Sequence, residues 1–396
     1  MLSTTREDLQ RTIARQRSTF AATGDVDAAV QLADALLRQM RVTGNSGLAN
    51  EAERALRAIR ARDPEHHGVC RMLAAVLASQ HRFVEARTHA DRCRARQPRD
   101  GWLLGVIADA SIELGDYDAG WDAIDAMMTL RPNAAAYARA SYARELQGDL
   151  TGALELMRMA LVATPPVDAE SAAWHHVQIG HLLLESGRVD DAARAFAHAR
   201  HAFPGYPPAI VGAARALIAA GDARGALAVL APHVTASPTP DGLALIGDLH
   251  QSLRDGDAAE RAYLLAEAAW MTDAPEPSRL ARFLAERGRR VEHALDLARR
   301  ERAQRRDIFT EDAYAWALFQ TGRIDDAHAA IARALRTGSR DRRIRYHAAA
   351  IAAVRGDDAD ARRYLGEALS GAPRFDLIAA PAAQALRHSL NAAGAR

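Results

Sequence analysis

The sequence predicts an all-α chain built from repeated pairs of antiparallel helices, and three observations carry that expectation. The apolar fraction of 49% is mostly small: about ninety residues are Ala, while aromatics reach only 5%. Ala is the strongest helix former and lets neighbouring helices approach closely. Runs of Val, Ile, Thr and aromatic residues at strand spacing are nearly absent, which argues against a sheet-based enzyme fold. Finally, Pro and Gly recur in phase along most of the chain, and a fixed period is the mark of a repeat architecture.

The period is close to 34 residues. Helix-closing prolines fall at Pro64, Pro98, Pro132, Pro165, Pro204, Pro238 and Pro373, with gaps of 34, 34, 33, 39 and 34 over the first six. Seventeen residues before a closing Pro stand Gly47, Gly115, Gly148, Gly187, Gly221 and Gly356. Five residues after each Gly comes a small side chain: Ala52, Gly120, Ala153, Ala192, Ala226 and Ala361. A second compact position follows seven later, as at Ala160, Ala199 and Ala368.

Each unit then has a mechanical reading. The Gly takes the left-handed conformation past the first helix, where other residues meet a steric cost. An Asp next to that turn (Asp25, Asp116, Asp149, Asp222, Asp257, Asp357) sits near the start of the second helix, able to cap it or complement its dipole. The small residue marks the closest approach of the two helices. The Pro ends the second helix and turns the chain into the next unit.

With these positions in phase, the chain resembles the tetratricopeptide repeat family. The clearest copies are WLLGVIADASIELGDYDAGWDAIDAMMTLRP (Trp102–Pro132) and WHHVQIGHLLLESGRVDDAARAFAHARHAFP (Trp174–Pro204), supported by Trp316–Leu335 and Ile344–Pro373. The resemblance implies a right-handed α-solenoid of about nine or ten helix pairs in a single superhelix over 1–396. In order, 1–24 is expected to be an N-terminal cap helix, 25–375 the repeats, and 376–394 a C-terminal capping helix. The unit 271–307 is irregular, with a short first helix and no closing Pro. Within the insertion at Thr164–Trp174, the loop near Thr164–Ala172 is expected, with the stretch Ala236–Asp241, to be the slackest point. Each unit of such an array is expected to touch only its neighbours, leaving the groove elastic.

Charge and motifs limit the chemistry. The 51 basic residues are all Arg and face 50 acidic ones, so a lysine Schiff base and a phosphate-loop lysine are excluded. Near-zero net charge argues against a chain-wide nucleic-acid surface. The N-terminal stretch lacks an apolar signal-peptide core, and no apolar run reaches the ~18 residues of a membrane span, so a cytoplasmic location without membrane insertion is expected. No nucleophile elbow, dinucleotide fingerprint or metalloprotease motif occurs; the chain is read as a non-enzyme with no cofactor. Only His198 and His201 have metal-ligand spacing on a helix, and without a third donor nearby they read as surface or packing residues. Cys70 and Cys93 fall on paired helices of one unit and read as buried thiols, with a redox pair as the alternative.

In the resembled family, the concave face of the first helices commonly takes an extended peptide or a partner helix. Superposing the units places Trp102, Asp109, Glu113, Tyr142, Glu145, Trp174, His181 and Glu185 on or near that face, followed by Arg215, Asp248, Arg279, Phe283, Arg287, Asp312, Trp316, Phe319 and Tyr346. Aromatic anchors ordered by flanking charges would suit a protein partner. The same aromatics suit inter-repeat core, and the same charges suit a solvated face. A clamp for a C-terminal carboxylate, as some family members make with Lys and Asn, is not expected, because the matching positions hold Ala, Asp and Glu. Residues 279–306 carry ten Arg against four acidic residues, and Arg336, Arg340, Arg342, Arg343 and Arg345 extend them. The resulting expectation is a scaffold or adaptor that binds a segment or helix of another protein. The alternative is recognition of an anionic polymer or acidic surface through 279–345.

Overall fold

The structure is a computed structural model that describes residues 6–272 and 277–394. Among the described residues there are 22 α-helices and no strands. One helix, α1 (Arg6–Thr23), precedes ten pairs, and α22 (Ala379–Gly394) follows them. The first five pairs are α2 (Val26–Thr43) with α3 (Gly47–Arg60), α4 (His67–Ser79) with α5 (Phe83–Arg96), α6 (Gly101–Glu113) with α7 (Tyr117–Leu130), α8 (Ala134–Leu146) with α9 (Leu150–Val162), and α10 (Ala169–Glu185) with α11 (Val189–Ala202). The remaining five are α12 (Pro207–Ala220) with α13 (Ala223–Ala236), α14 (Pro240–Ser252) with α15 (Gly256–Thr272), α16 (Pro277–Glu286) with α17 (Val291–Arg302), α18 (Ile308–Gln320) with α19 (Ile324–Ala334), and α20 (Arg342–Arg355) with α21 (Asp358–Leu369). The chain is thus an all-α solenoid of helix-pair repeats, and the irregular unit does open with a short helix, α16, of 10 residues.

The turn chemistry follows the sequence reading at most pairs. Gly115, Gly148, Gly187, Gly221 and Gly356 all have positive φ. Asp25, Asp116, Asp149 and Asp222 accept backbone N–H groups of Ala28, Ala119, Gly152 and Gly225 at 2.8, 3.5, 2.9 and 2.8 Å. Two details differ. In the first pair the left-handed residue is Gly44, and Gly47 instead opens α3. In the unit of α14 and α15 the left-handed residue is Arg254 (φ 65), so Asp255 rather than Asp257 caps the second helix, accepting Ala258 N–H at 3.2 Å. Small residues fill the expected close approaches: Ala52, Ala153, Ala192, Ala226 and Ala361 are fully buried. At Gly120 an added Cβ would stand 2.9 Å from the side chain of Ile112.

Cys70 of α4 and Cys93 of α5 are joined in a disulfide with Cα atoms 6.1 Å apart, which corrects the expectation of two free buried thiols. Paired antiparallel helices bring their two positions within bonding reach.

Two compact units can be distinguished. Unit 1 holds the described residues of 1–141 together with 155–175 and 199–207; unit 2 holds 142–154, 176–198 and the described residues from 208 onward. Within unit 1, the start of α10 is fixed to α2. Arg41 donates to both carboxylate oxygens of Glu170, at 3.1 and 2.8 Å, and Arg38 pairs with Asp168 at 3.3 Å. Asp168 also accepts Ser171 Oγ–H at 2.9 Å, and Thr164 Oγ1 lies 3.1 Å from His175 Nδ1. The insertion at 164–174 is therefore tied down, not slack.

Within unit 2, distant turns pack on one another. Gly148 and Gly187 lie so close to Gly338 and Gly371 that a Cβ at either would come within 2.6 Å of a backbone carbonyl oxygen. Arg342, itself buried, donates to the carbonyl oxygens of Glu185, Ser370 and Ala368 at 2.6, 2.6 and 2.9 Å. These contacts correct the nearest-neighbour expectation. Each unit is braced by pairs of elements far apart in sequence, so its groove width is fixed more firmly than that of an open array. The stretch 236–241 is held as well: Thr239 accepts Gly242 N–H at 3.2 Å, and Asp241 receives Arg279 at 2.7 Å.

A candidate binding groove and a charged cavity

In unit 1 the first helices α2, α4, α6 and α8 line a groove of about 1110 Å³. Its construction begins at Asp100, which ends the preceding turn and caps α6 by accepting Trp102 N–H at 2.9 Å. The other oxygen of Asp100 contacts His67 Nε2 at 2.6 Å and pairs with Arg71 at 3.1 Å. Arg71 is thereby held with its guanidinium 5.2 Å from the centre of the Trp102 ring, within cation–π range. Trp102 is 43% exposed, a large aromatic face turned into the groove and not into the core. Further along, Asp109 is gripped by Arg139 through two bonds of 2.9 and 2.6 Å, and Glu113 adds a carboxylate to the lining.

In unit 2 a second, smaller cavity of about 300 Å³ is lined by α12, α14, α16 and α20 and by the segment before α22. It is built from ion pairs. Asp248 receives Arg287 at 2.6 and 2.7 Å and the Tyr263 hydroxyl at 3.0 Å. Arg343 donates to Asp376 at 2.9 Å and lies 3.2 Å from Glu286. Burial works against the charge of Arg343, but Glu286 and Asp376 hold it well above the ordinary guanidinium value. Burial and then Asp341 raise Glu185 to about 8 and Glu145 to about 7. Glu185 lines this cavity; Glu145 stands apart from it.

The sequence-derived groove residues are divided among several settings. Trp102, Asp109 and Glu113 line the unit 1 groove, whereas Glu185, Arg215, Asp248, Arg279, Phe283, Arg287 and Asp312 line the unit 2 cavity. Phe283 is nevertheless buried, packed against Tyr263, Trp270 and the Arg287 guanidinium. Trp316, Phe319 and Tyr346 are packing residues: Trp316 stacks on Phe319 and on His347, with centroids 4.8 and 4.0 Å apart, and Tyr346 packs beside it. Asp312 is buried and holds His347 Nδ1 at 2.8 Å. Tyr142 and Trp174 are half-buried, the latter edge-on to His175. His181 packs edge-on against Phe196, and burial, then Arg215, pushes its pKa down to about 3.

The Arg-rich stretch 279–345 is not one open basic face. Arg289 pairs with Glu260 and Glu267, Arg302 and Arg333 with Glu311, Arg305 with Asp307, and Arg345 with Glu367. What the sequence reading missed is the Cys70–His89–Cys93 group, whose potential ligand atoms lie within 4.8 Å of one another. Burial, reinforced by Arg60 and Arg92, lowers His89 to about 4. With the two sulfurs bonded to each other, the three side chains pack as core and not as a ligand set.

Residues 183–249 and 313–375 each match a model of the tetratricopeptide repeat. No curated protein matches the chain. Among solved structures, human IFIT1 as a dimer with PPP-AAAA is 17% identical, covering 83% of this chain and 78% of that one, with a TM-score of 0.54. The human IFIT1 dimer with m7Gppp-AAAA is 15% identical over 83% and 77%, with a TM-score of 0.53. A tetratricopeptide repeat protein from Parabacteroides merdae is 16% identical over 66% and 93%, with a TM-score of 0.44. At these identities the likeness to the IFIT1 structures is one of fold. Two matches to the repeat model, on a chain whose described helices form ten antiparallel pairs, show that this chain carries tetratricopeptide repeats.

Proposed function

We propose that the chain is a non-enzymatic scaffold, one array over 1–396, whose unit 1 groove receives an extended segment of a partner protein. The observation that carries this reading is the exposed face of Trp102, held by Arg71 and Asp100 at the floor of a groove long enough for several residues. An aromatic plane fixed by its neighbours can anchor an apolar side chain with little entropy loss, and Asp109, Glu113 and Arg139 offer polar groups to the partner's backbone. Tetratricopeptide repeats serve generally as protein-interaction scaffolds, and the groove fits that use.

The PPP-AAAA and m7Gppp-AAAA of the IFIT1 structures are the ground for the alternative, an anionic polymer on 279–345. The ion pairs that engage Arg289, Arg302, Arg305 and Arg345 weigh for the protein partner, because a basic surface already matched with carboxylates has little charge left for phosphates.

The test places a photo-crosslinking residue at Arg99, on the groove margin, in the full chain, and sequences what it captures in cells. The expected product is a peptide from a protein partner, captured also in about 0.5 M salt and lost on Trp102→Ala. Capture of nucleic acid, or capture indifferent to Trp102→Ala, would overturn the proposal.

A further inference from the structure

Cys70, His89 and Cys93 meet inside the pair of α4 and α5, and what they can do depends on the state of the sulfurs. His89 and Cys93 stand four positions apart on α5 and so share one face of it. Cys70 of α4 meets that face, and the two sulfurs and an imidazole nitrogen lie within 4.8 Å of one another. All three residues are buried, His89 at 7% exposure. The His89 ring is bonded to the backbone of Cys70, yet among the described residues its buried Nε2 finds no hydrogen-bond partner. A buried polar atom left unpaired is uncommon in a folded chain and calls for a cause, a bound ion among them.

The arrangement fits a tetrahedral metal once the sulfurs are separate. Zn–S bonds of about 2.3 Å and Zn–N bonds of about 2.0 Å put the ligand atoms about 3.5–3.8 Å apart. Atoms already within 4.8 Å reach those separations by side-chain rotation. A cavity of about 40 Å³ adjoins Cys70 and His89, with room for a water as fourth ligand. Its edge includes the exposed Pro64, Arg92 and Arg96, a short way in from solvent. The guanidiniums of Arg60, Arg92 and Arg96 favour thiolates over thiols and repel a bare cation. Zinc with two thiolates and a neutral imidazole carries no net charge, so that repulsion falls away in the complex.

We propose that Cys70, His89 and Cys93 bind one zinc ion when the disulfide is reduced, and that the disulfide excludes it. A dithiol reductant gives up two electrons and two protons, closing into its own disulfide, and leaves Cys70 and Cys93 as thiols. Zinc then replaces the two thiol protons, which pass to solvent. Thiolate and imidazole donors select zinc over the hard cations magnesium and calcium. The assignment does not rest on the reading given to the Trp102 groove.

Cobalt(II) is the probe, because tetrahedral thiolate coordination gives it intense visible bands that the hydrated ion lacks. The full chain is reduced with a phosphine, which takes the oxygen of water to become its oxide, and is titrated without air. One equivalent of cobalt is expected to bind with those bands, and one equivalent of zinc to bleach them. The oxidised chain is expected to do neither. Cys70→Ser, Cys93→Ser and His89→Gln should each weaken zinc binding to the reduced chain at least about tenfold, the least that even a group supporting a ligand is worth. A merely packed His89 would leave the affinity unchanged. Absence of the tetrahedral bands in reduced wild type, equal zinc binding by the oxidised chain, or undiminished affinity in His89→Gln would each overturn the proposal. If His89→Gln does not fold, the cysteine variants and the contrast between reduced and oxidised wild type decide the matter.

Discussion

Arg41 on α2 and Glu170 on α10 stand 129 positions apart, yet they form a two-pronged ion pair at 3.1 and 2.8 Å. The Tyr206 hydroxyl approaches the same carboxylate at 3.5 Å. Glu170 is 4% exposed, while Arg41 reaches the groove. One wall of the candidate groove is therefore set by a contact that the repeat pattern does not encode.

Arg41→Met strands the Glu170 carboxylate in the interior with only Tyr206 to solvate it. The expected loss is about 2 kcal/mol, below the usual range for a fully buried pair because Arg41 is itself partly solvated. Urea unfolding measures it. Glu170→Gln in the Arg41→Met background should recover most of the loss, and no recovery would show that the two side chains act separately.

Arg254 holds a left-handed backbone at a position where most units have Gly. Its side chain is exposed, so little packing is lost on removal. Arg254→Gly should stabilise the chain by about 1 kcal/mol, the strain of a side chain at positive φ less the added freedom of Gly when unfolded. A lower urea midpoint in the variant would contradict this.

Glu185 gives the chain a pH dependence of definite sign. Burial raises its pKa from 4.5 to about 8, with Asp341 and Glu145 adding to the rise while Arg342 and Arg343 oppose it. Between those two values the folded chain retains a proton that the unfolded chain releases. Stability must then fall as pH rises through the window and level off above about 8. Glu145, raised to about 7, acts in the same direction. Glu185→Gln should flatten the dependence, with the largest gain in melting temperature at the alkaline end.

The Cys70–Cys93 disulfide joins residues 23 apart on α4 and α5. Replacing both with Ala should cost about 3 kcal/mol through the freed chain of the unfolded state. A reductant should bring wild type most of the way to the same urea midpoint. An unchanged midpoint under reduction would show that the bond adds nothing to the packing around it.

Sequence by itself determined the repeated unit, because a unit is local chemistry. Gly at the turn, Asp beside it, Ala at the helix crossing and Pro at the close each act within a few residues, and the helix pairs follow from them. It also placed Trp102, Asp109 and Glu113 together, since all three lie on one short helix, α6. Tertiary structure alone decided which aromatics stay exposed in a groove and which are core. Trp316, late in α18, is covered by Phe319, Tyr346 and His347, whereas Trp102, at the start of α6, stays 43% exposed beside Arg71. It also decided which arginines are paired and with which carboxylates. Ion pairing depends on carboxylates brought in from helices tens to more than a hundred residues away, as Glu170 is to Arg41 and Asp248 to Arg287. The period that fixes each repeat carries no record of those encounters.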